Sequence, residues 1–201
     1  MTDKNRMIVH LIIAMIVLPG TVVLLIPGIL VWMFGIDPPA VGEARLWLAK
    51  PLLPGGLVMI GWSVASLVVH GKGTPAPWAP TQHLVVSGAY KYVRNPMIIG
   101  VLMMLTGEAL LFNSDPIGLW AATFFVLNTL YFMVFEEPTL EKRFGDEYRL
   151  YKANVGRWIP RLSAWTPPWA SSEAEPEAED PQAVHWQGYK GDESSDKNGP
   201  Q

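Results

Sequence analysis

Two short stretches of this 201-residue chain carry the side chains best suited to chemistry: the acidic neighbours Glu136-Glu137 and the turn Arg94-Asn95-Pro96. Each stands at the edge of an apolar run. A carboxylate in that position can accept hydrogen bonds from hydroxyl or ammonium groups and places negative potential beside a bound cation. A solvated pair of helix-end carboxylates would read the same way in sequence. Arg94 has three readings: it could pair with Glu136 or Glu137, hold a ligand's carboxylate, or mark the cytoplasmic end of a membrane span. Pro96 suits the first turn of a helix, and Asn95 before it could cap the exposed amides and touch a ligand. Tyr90 is either part of the same site or an anchor for its loop. Glu108 lies inside an apolar run, where it is either paired and functional or exposed at the far interface. His10 and His83 find no further ligands at sensible spacing, so no metal site is expected. With no cysteine in the chain, thiolate nucleophiles and disulfides are excluded.

The elements that must position these residues are apolar runs of membrane length. Met7 to Phe34 is almost uninterrupted, with Pro19-Gly20 and Pro27-Gly28 predicting kinks rather than breaks. It is too long for a signal-peptide core and has no small-x-small exit. Leu52 to Val69 is a second run, with Gly56, Gly61 and Ala65 offering small surfaces for close packing. Met97 to Phe112 and Pro116 to Phe135 follow, joined by Asn113-Ser114-Asp115, a connection short enough to require an antiparallel hairpin. Gly100 and Gly107 could pack on the fourth run or on a second subunit. The fold class is therefore all-α, a polytopic membrane protein with about four spans at 7–34, 52–69, 97–112 and 116–135. Lys4 and Arg6 before the first run, Lys72, Lys91 and Arg94 in the central loop and six more from Lys142 to Arg161 make eleven basic residues, against Arg45 and Lys50 on the opposite side. The positive-inside rule then puts both termini in the cytoplasm.

Between the second and third runs, Gly71 to Asn95 is too long for a mere connector and holds Thr81, Gln82, His83, Tyr90 and Arg94 together. Pro75, Pro77 and Pro80 stiffen its entry, Leu84 to Val86 read as a short extended segment, and Ser87-Gly88 as a turn. After the fourth run, Leu140, Phe144, Tyr148, Tyr151 and Val155 recur at helical spacing among charged residues. They predict an amphipathic helix over about 138–155, lying on the membrane surface or docked on the loop. One membrane domain over 1–165 is thus followed by an acidic tail, 166–201, rich in Pro, Glu, Ser and Asp and read as disordered. Half of all residues are hydrophobic and only 16% are charged, which makes the bilayer the expected solvent. A net charge of −3 argues against a nucleic-acid partner, which would require a basic surface.

Four motifs in order carry a family resemblance: T-Q-H-L-V-V-S-G-A-Y at Thr81 to Tyr90, R-N-P-M-I-I-G at Arg94 to Gly100, E-E at Glu136-Glu137, and F-G-D-E-Y-x-x-Y at Phe144 to Tyr151. From about Gly73 to Pro160 the chain resembles integral-membrane methyltransferases of the isoprenylcysteine carboxyl methyltransferase type, related to phospholipid methyltransferases. The resemblance implies a pocket for S-adenosylmethionine built from Gln82, His83, Leu84, Val85, Tyr90, Asn95, Pro96, Met97, Ile98 and Glu136. Two positions depart from the family pattern. Asn95 replaces the usual histidine, and Ile98 replaces a frequent aromatic residue.

S-adenosylmethionine presents a sulfonium, an ammonium, a carboxylate, ribose hydroxyls and a flat adenine, and this lip offers carboxylates, a cation and apolar or aromatic walls to match. Transfer from a sulfonium demands positioning, exclusion of water and, for an amine acceptor, a partner for its proton. Arg94 and Glu137 are the candidate catalytic residues, Glu137 as that partner. The acceptor is expected to be lipophilic or small (a carboxylate, thiol or amine) and to arrive from the bilayer. Prenylcysteine-specific relatives place an arginine four residues before the first glutamate, where this chain has Phe132. The host membrane would be a bacterial inner membrane or one of endoplasmic-reticulum type. The competing expectations are a membrane assembly or sensor protein with a degenerate methyltransferase fold, and a nicotinamide-dependent sterol-type reductase, whose nucleotide-phosphate contacts are not found.

Overall fold

The computed structural model describes residues 16–37, 45–71 and 84–169. All regular structure among them is helical, with no strand. A π-wound stretch, Ile16–Leu25, leads into α1 (Ile26–Phe34); α2 is Arg45–Gly71; a single 3₁₀ turn, Gly88–Lys91, precedes α3 (Pro96–Phe112); α4 is Asp115–Tyr131; a π-wound turn, Phe132–Glu136, connects it to α5 (Glu137–Asn154). Two stretches, Arg45–Val69 and Asp115–Asn154, are long and apolar enough to cross a membrane. The third run gives α3 of 17 residues, about 25 Å at helical rise, somewhat under a bilayer's hydrocarbon thickness. Residues 7–15 of the first run, Gln82 and His83 in the loop, and the tail from 170 onward lie outside the described residues.

Local chemistry accounts for the kinks. In π winding the carbonyl of Val22 would look to the amide of residue 27, which is Pro27 and has no N–H. The Trp120 indole of α4 donates to that carbonyl instead, at 3.1 Å. The freed backbone group is thus satisfied by a neighbouring helix, as the apolar interior of a bilayer demands. The second helix starts seven residues earlier than Leu52, because it runs straight through Pro51 and Pro54. Each of these prolines removes one ladder bond without ending the helix. Lys50, in that early turn, lies 4.6 Å over the Trp47 ring. The α3–α4 hairpin forms as the short connection requires: Asn113 closes α3 in the left-handed conformation, and the Ser114 hydroxyl caps α4 by accepting from the Ile117 amide at 3.3 Å.

The core comprises Val23, Ile60, Val64, Val101, Leu105 and Ala121, contributed by the π-wound stretch, α2, α3 and α4. Its tightest seam joins α2 to α3. A Cβ at Gly56 would lie 2.5 Å from the Gly100 carbonyl oxygen, and one at Gly100 would lie 2.7 Å from the Gly56 carbonyl oxygen. The two backbones touch, so packing comes from close van der Waals approach, the interaction that remains available between helices in lipid. Gly107 likewise faces Leu52 and Leu53. Gly100 and Gly107 therefore serve α2, and not the fourth run or a second subunit. Gly61 and Ala65, although small, face outward and do not join the seam. Away from it, Leu119, Val126, Leu127, Leu130, Met133 and Phe135 stand exposed along α4 and its π-wound end, as does Trp32 on α1. A largely apolar face of that length fits hydrocarbon far better than water.

The amphipathic helix forms as α5 but is not straight. Gly145 has φ +55 and ψ −128 and breaks it into two halves. Nothing lies within 4 Å of a Cβ built there. The demand for glycine at Phe144-Gly145 is thus conformational. Arg149 bonds Glu141 at 2.7 Å and Asp146 at 3.0 Å, spanning the break on its exposed side. The buried stripe lies beyond it: Tyr148, Tyr151 and Val155 pack inward, against the loop.

The seam yields a paired test. Gly100→Ala is expected to destabilise the detergent-solubilised protein by about 1–3 kcal/mol, as overpacking does. Gly61→Ala should be neutral or stabilising by up to about 1 kcal/mol, the helix-propensity gain. Equal melting temperatures for the two variants would refute the backbone contact.

Candidate functional site

The turn before α3 is held from both sides. Its 3₁₀ start presses on α2: at Gly88, φ is +54, and a Cβ would fall 2.2 Å from the Ser66 hydroxyl and 2.8 Å from the Trp62 indole nitrogen. Only glycine meets both the conformation and the approach. Val85, Val86, Ala89 and Val93 are buried beneath the turn. On the other side the chain after α5 runs alongside it. The Arg94 amide donates to the Gly156 carbonyl at 2.9 Å, the Arg161 amide to the Tyr92 carbonyl at 2.9 Å, and the Trp165 amide to the Lys91 carbonyl at 3.0 Å. The Tyr151 hydroxyl donates to the Tyr90 carbonyl at 2.8 Å, and Arg161 also bonds the Asn154 carbonyl.

Held in this way, Arg94 points at Glu137. Its Nη1 lies 2.6 Å from Glu137 Oε1 and 3.3 Å from the Tyr148 hydroxyl, while its Nε donates to the Val155 carbonyl at 2.9 Å. Two more cations converge on the same carboxylate. Arg157 places Nε at 2.8 Å and Nη2 at 2.7 Å from Oε1, and Lys152 places its ammonium 3.0 Å from Oε2. The Glu137 side chain is only 7% exposed and that of Arg94 11%. Burial alone would raise the Glu137 carboxyl, but hydrogen bonds from Lys152 and Arg157, with the charge and hydrogen bond of Arg94, outweigh it and hold the group below the usual carboxylate range. Both oxygens are engaged.

Glu136 behaves oppositely. It stands one residue past the apolar run and is partly buried, and no ion pair reaches it among the described residues. Burial, and then the neighbouring Glu137 charge, push its carboxyl up to about 7. The Glu136 charge is felt by Tyr90, whose phenol is raised first by burial and then by this carboxylate. Tyr148 is pushed up to about 12, by burial and then by Glu137. Asn95 occupies the N-cap position of α3 with Pro96 at the first turn, but its side chain makes no capping bond. Trp158 packs its ring on Phe125 and Phe132, at 5.2 and 5.9 Å between centroids, and its buried indole nitrogen has no partner among the described residues.

Part of the sequence-derived candidate set comes together at one contact. Arg94 and Glu137 touch directly; Asn95 and Glu136 are their chain neighbours, Tyr90 is coupled to Glu136, and Met97 and Ile98 continue the first turn of α3. Leu84 and Val85 lie at the start of the described loop. Glu108 is 14 residues beyond Arg94, toward the other end of α3, with one buried carboxylate oxygen unpartnered among the described residues. No cluster fit for a metal occurs among the described residues. In the sequence Lys152 and Arg157 read only as topology signals, Tyr148 only as part of a buried helical stripe and a family motif, and Arg157-Trp158 sits where no helical period marks it. Two cavities flank the contact: a groove of about 310 Å³ on the Lys152 side of Glu137, walled by Met133, Glu141, Lys142 and Arg149, and an apolar pocket of about 240 Å³ between Met59, Trp62, Tyr92 and Pro160.

The Glu137 cluster carries a stability prediction. Because the folded carboxyl titrates below its unfolded value, its contribution is complete above the unfolded value, near 4.3, and fades as pH falls through the folded one. Glu137→Gln leaves three cations facing each other and is expected to cost about 3 kcal/mol at neutral pH, at the low end for a buried pair because Lys152 is 42% exposed. It should also flatten the acid limb of the stability profile. A melting series from pH 3 to 8 that is identical for variant and wild type would contradict this.

The model of the phospholipid methyltransferase family matches residues 44–147, from the start of α2 into α5. An uncharacterized protein of Haemophilus influenzae is 33% identical over 63 residues, which is 31% of this chain and the whole of that protein. No solved structure matches. With half the chain matched, and with the match containing both partners of the Arg94–Glu137 contact, the chain belongs to the phospholipid methyltransferase family, a family of membrane methyltransferases.

Proposed function

We propose that this protein transfers a methyl group from S-adenosylmethionine to a lipophilic or small acceptor at the cytoplasmic face of a membrane, in the manner of the isoprenylcysteine carboxyl methyltransferase-like enzymes. The observation that carries this reading is the Arg94–Glu137 contact, which brings two motifs 43 residues apart together and leaves Glu136 beside them without an ion-pair partner among the described residues. When bound, S-adenosylmethionine supplies a methyl group on a sulfonium that is already a good leaving group. The residues present fit it: the Glu136 carboxylate, the uncapped Asn95 amide and the Trp158 indole N–H are polar groups left unspent by the fold. Glu136 would bond the ribose hydroxyls or the ammonium and add negative potential near the sulfonium. Tyr90, Pro96, Met97 and Ile98 would form the wall at the start of α3, with Gln82, His83, Leu84 and Val85 completing the loop side.

In this reading Arg94 and Glu137 work as a pair. With three cations on its carboxylate, Glu137 is a weak proton acceptor, suited to holding Arg94 in place while Arg94 faces the ligand. Phe132 is buried against Trp158, so the position at which prenylcysteine enzymes carry an arginine is apolar. That supports another lipid, a small thiol or an amine as acceptor. The distribution of basic residues supports four spans with both termini cytoplasmic, in a bacterial inner membrane or one of endoplasmic-reticulum type.

Calorimetric titration of S-adenosylmethionine into detergent-purified protein tests the proposal. Saturable binding is expected, reduced at least tenfold in Glu136→Gln. Affinity should rise with pH through about 7, since Glu136 is protonated and neutral below that point and a carboxylate above it. Binding that is unaffected by the substitution and by pH would remove Glu136 from the site. A well-folded protein that binds no S-adenosylmethionine would sink the enzymatic reading and favour a membrane assembly or sensor protein built on a methyltransferase fold.

A further inference from the structure

The segment from Val155 to Trp165 lies beyond residues 44–147, the stretch matched to the family, yet it makes most of the polar contacts that hold the turn before α3. Three of its bonds are backbone to backbone, to Lys91, Tyr92 and Arg94. Its side-chain tie to the acidic cluster is Arg157, 18% exposed, with two guanidinium nitrogens within 2.8 Å of Glu137 Oε1. From this geometry we infer that Arg157 is a positioning residue: it fastens the C-terminal strap to Glu137 and thereby fixes the Tyr90–Asn95 turn from which ligand contacts are made. The inference rests on the proposed cofactor site, and it reaches that site only through the turn.

The shared oxygen makes the arrangement informative. Arg94 and Arg157 both bond Glu137 Oε1, so two guanidiniums approach each other closely and are tolerated only while Glu137 is charged. The groups that face this carboxylate are Arg94 from the turn, Lys152 and the Tyr148 hydroxyl from α5, Arg157 from the strap, and Glu136 beside it. Without Arg157, Glu137 would still be paired with Arg94 and Lys152, so no carboxylate is stranded and the helices should stay folded. What is lost is the tether, and with it the register of the strap on the turn. A lysine could keep one bond of the two but not the planar fork.

The test uses the full chain in detergent or lipid nanodiscs, comparing Arg157→Ala and Arg157→Lys with wild type. In the alanine variant, hydrogen exchange should quicken in peptides covering 84–95 and 155–165 while those of α2 and α3 keep their protection. Affinity for S-adenosylmethionine should fall about tenfold, within the usual range for coupling through a shared element, and Arg157→Lys should recover part of it. The acid limb of the melting profile should move to higher pH, because one of the cations holding Glu137 ionised is gone. A merely structural role would loosen α2 and α3 together and leave that acid limb where it was, and wild-type affinity in Arg157→Ala would likewise overturn the inference. Should wild type bind no S-adenosylmethionine, the cofactor reading fails by itself. The exchange data then decide the tether, with unchanged uptake over 84–95 refuting it and selective loss there upholding it.

Discussion

One carboxylate organises the polar end of this molecule. Glu137 is buried, and a buried charge is tolerated only if it is paired and hydrogen-bonded. It recruits Arg94 from the turn before α3, Lys152 from α5 and Arg157 from the segment that follows. These come from three stretches of chain that no apolar contact would bring into register with such accuracy. The excess positive charge around it makes the cluster stiff rather than adaptable, because each cation repels the others as soon as the carboxylate is displaced. The membrane helices deliver these groups to one place, and the ionic contact then sets their final distances.

The two adjacent glutamates show how position decides role. They differ by one residue, and therefore by about 100° around a helix. Glu137 turns toward three cations and is held ionised. Glu136 has no ion pair among the described residues, and burial pushes it up to about 7. A group held ionised is an anchor, whereas one poised near neutrality responds to a ligand's charge. The π-wound turn Phe132–Glu136 lies immediately before this pair. An extra residue per turn at that point rotates the following helix relative to α4, and so contributes to which glutamate faces which partner.

The apolar part of the fold follows from a different constraint. In lipid there is no water to drive helices together, so contact must come from close approach and from satisfied backbone groups. The Gly56–Gly100 seam provides the first. The Trp120 indole on the Val22 carbonyl provides the second, where Pro27 leaves the ladder open. Both leave the outward faces of α1 and α4 largely apolar, as a bilayer requires.

The sequence by itself determined the apolar runs, the α3–α4 hairpin, the helix start at Pro96, the amphipathic stretch after Pro138 and the short set of polar residues worth watching. These are legible because they depend on local rules: length and hydropathy for spans, proline and asparagine for helix starts, and periodicity for a buried stripe. The alternatives left open for Arg94 could be resolved only in three dimensions, since pairing with Glu137 joins residues 43 apart. The same holds for Arg157 and Lys152, which in sequence are ordinary basic residues and become partners of Glu137 only when α5 breaks at Gly145 and the chain returns along the turn. Small residues illustrate the point from the apolar side. Gly56 and Gly61 look alike in sequence, and only the packing of α2 on α3 decides that the first lies in a seam and the second faces outward. Composition and spacing report what a segment can bury or donate, while the identity of its partner depends on distances that the tertiary fold alone establishes.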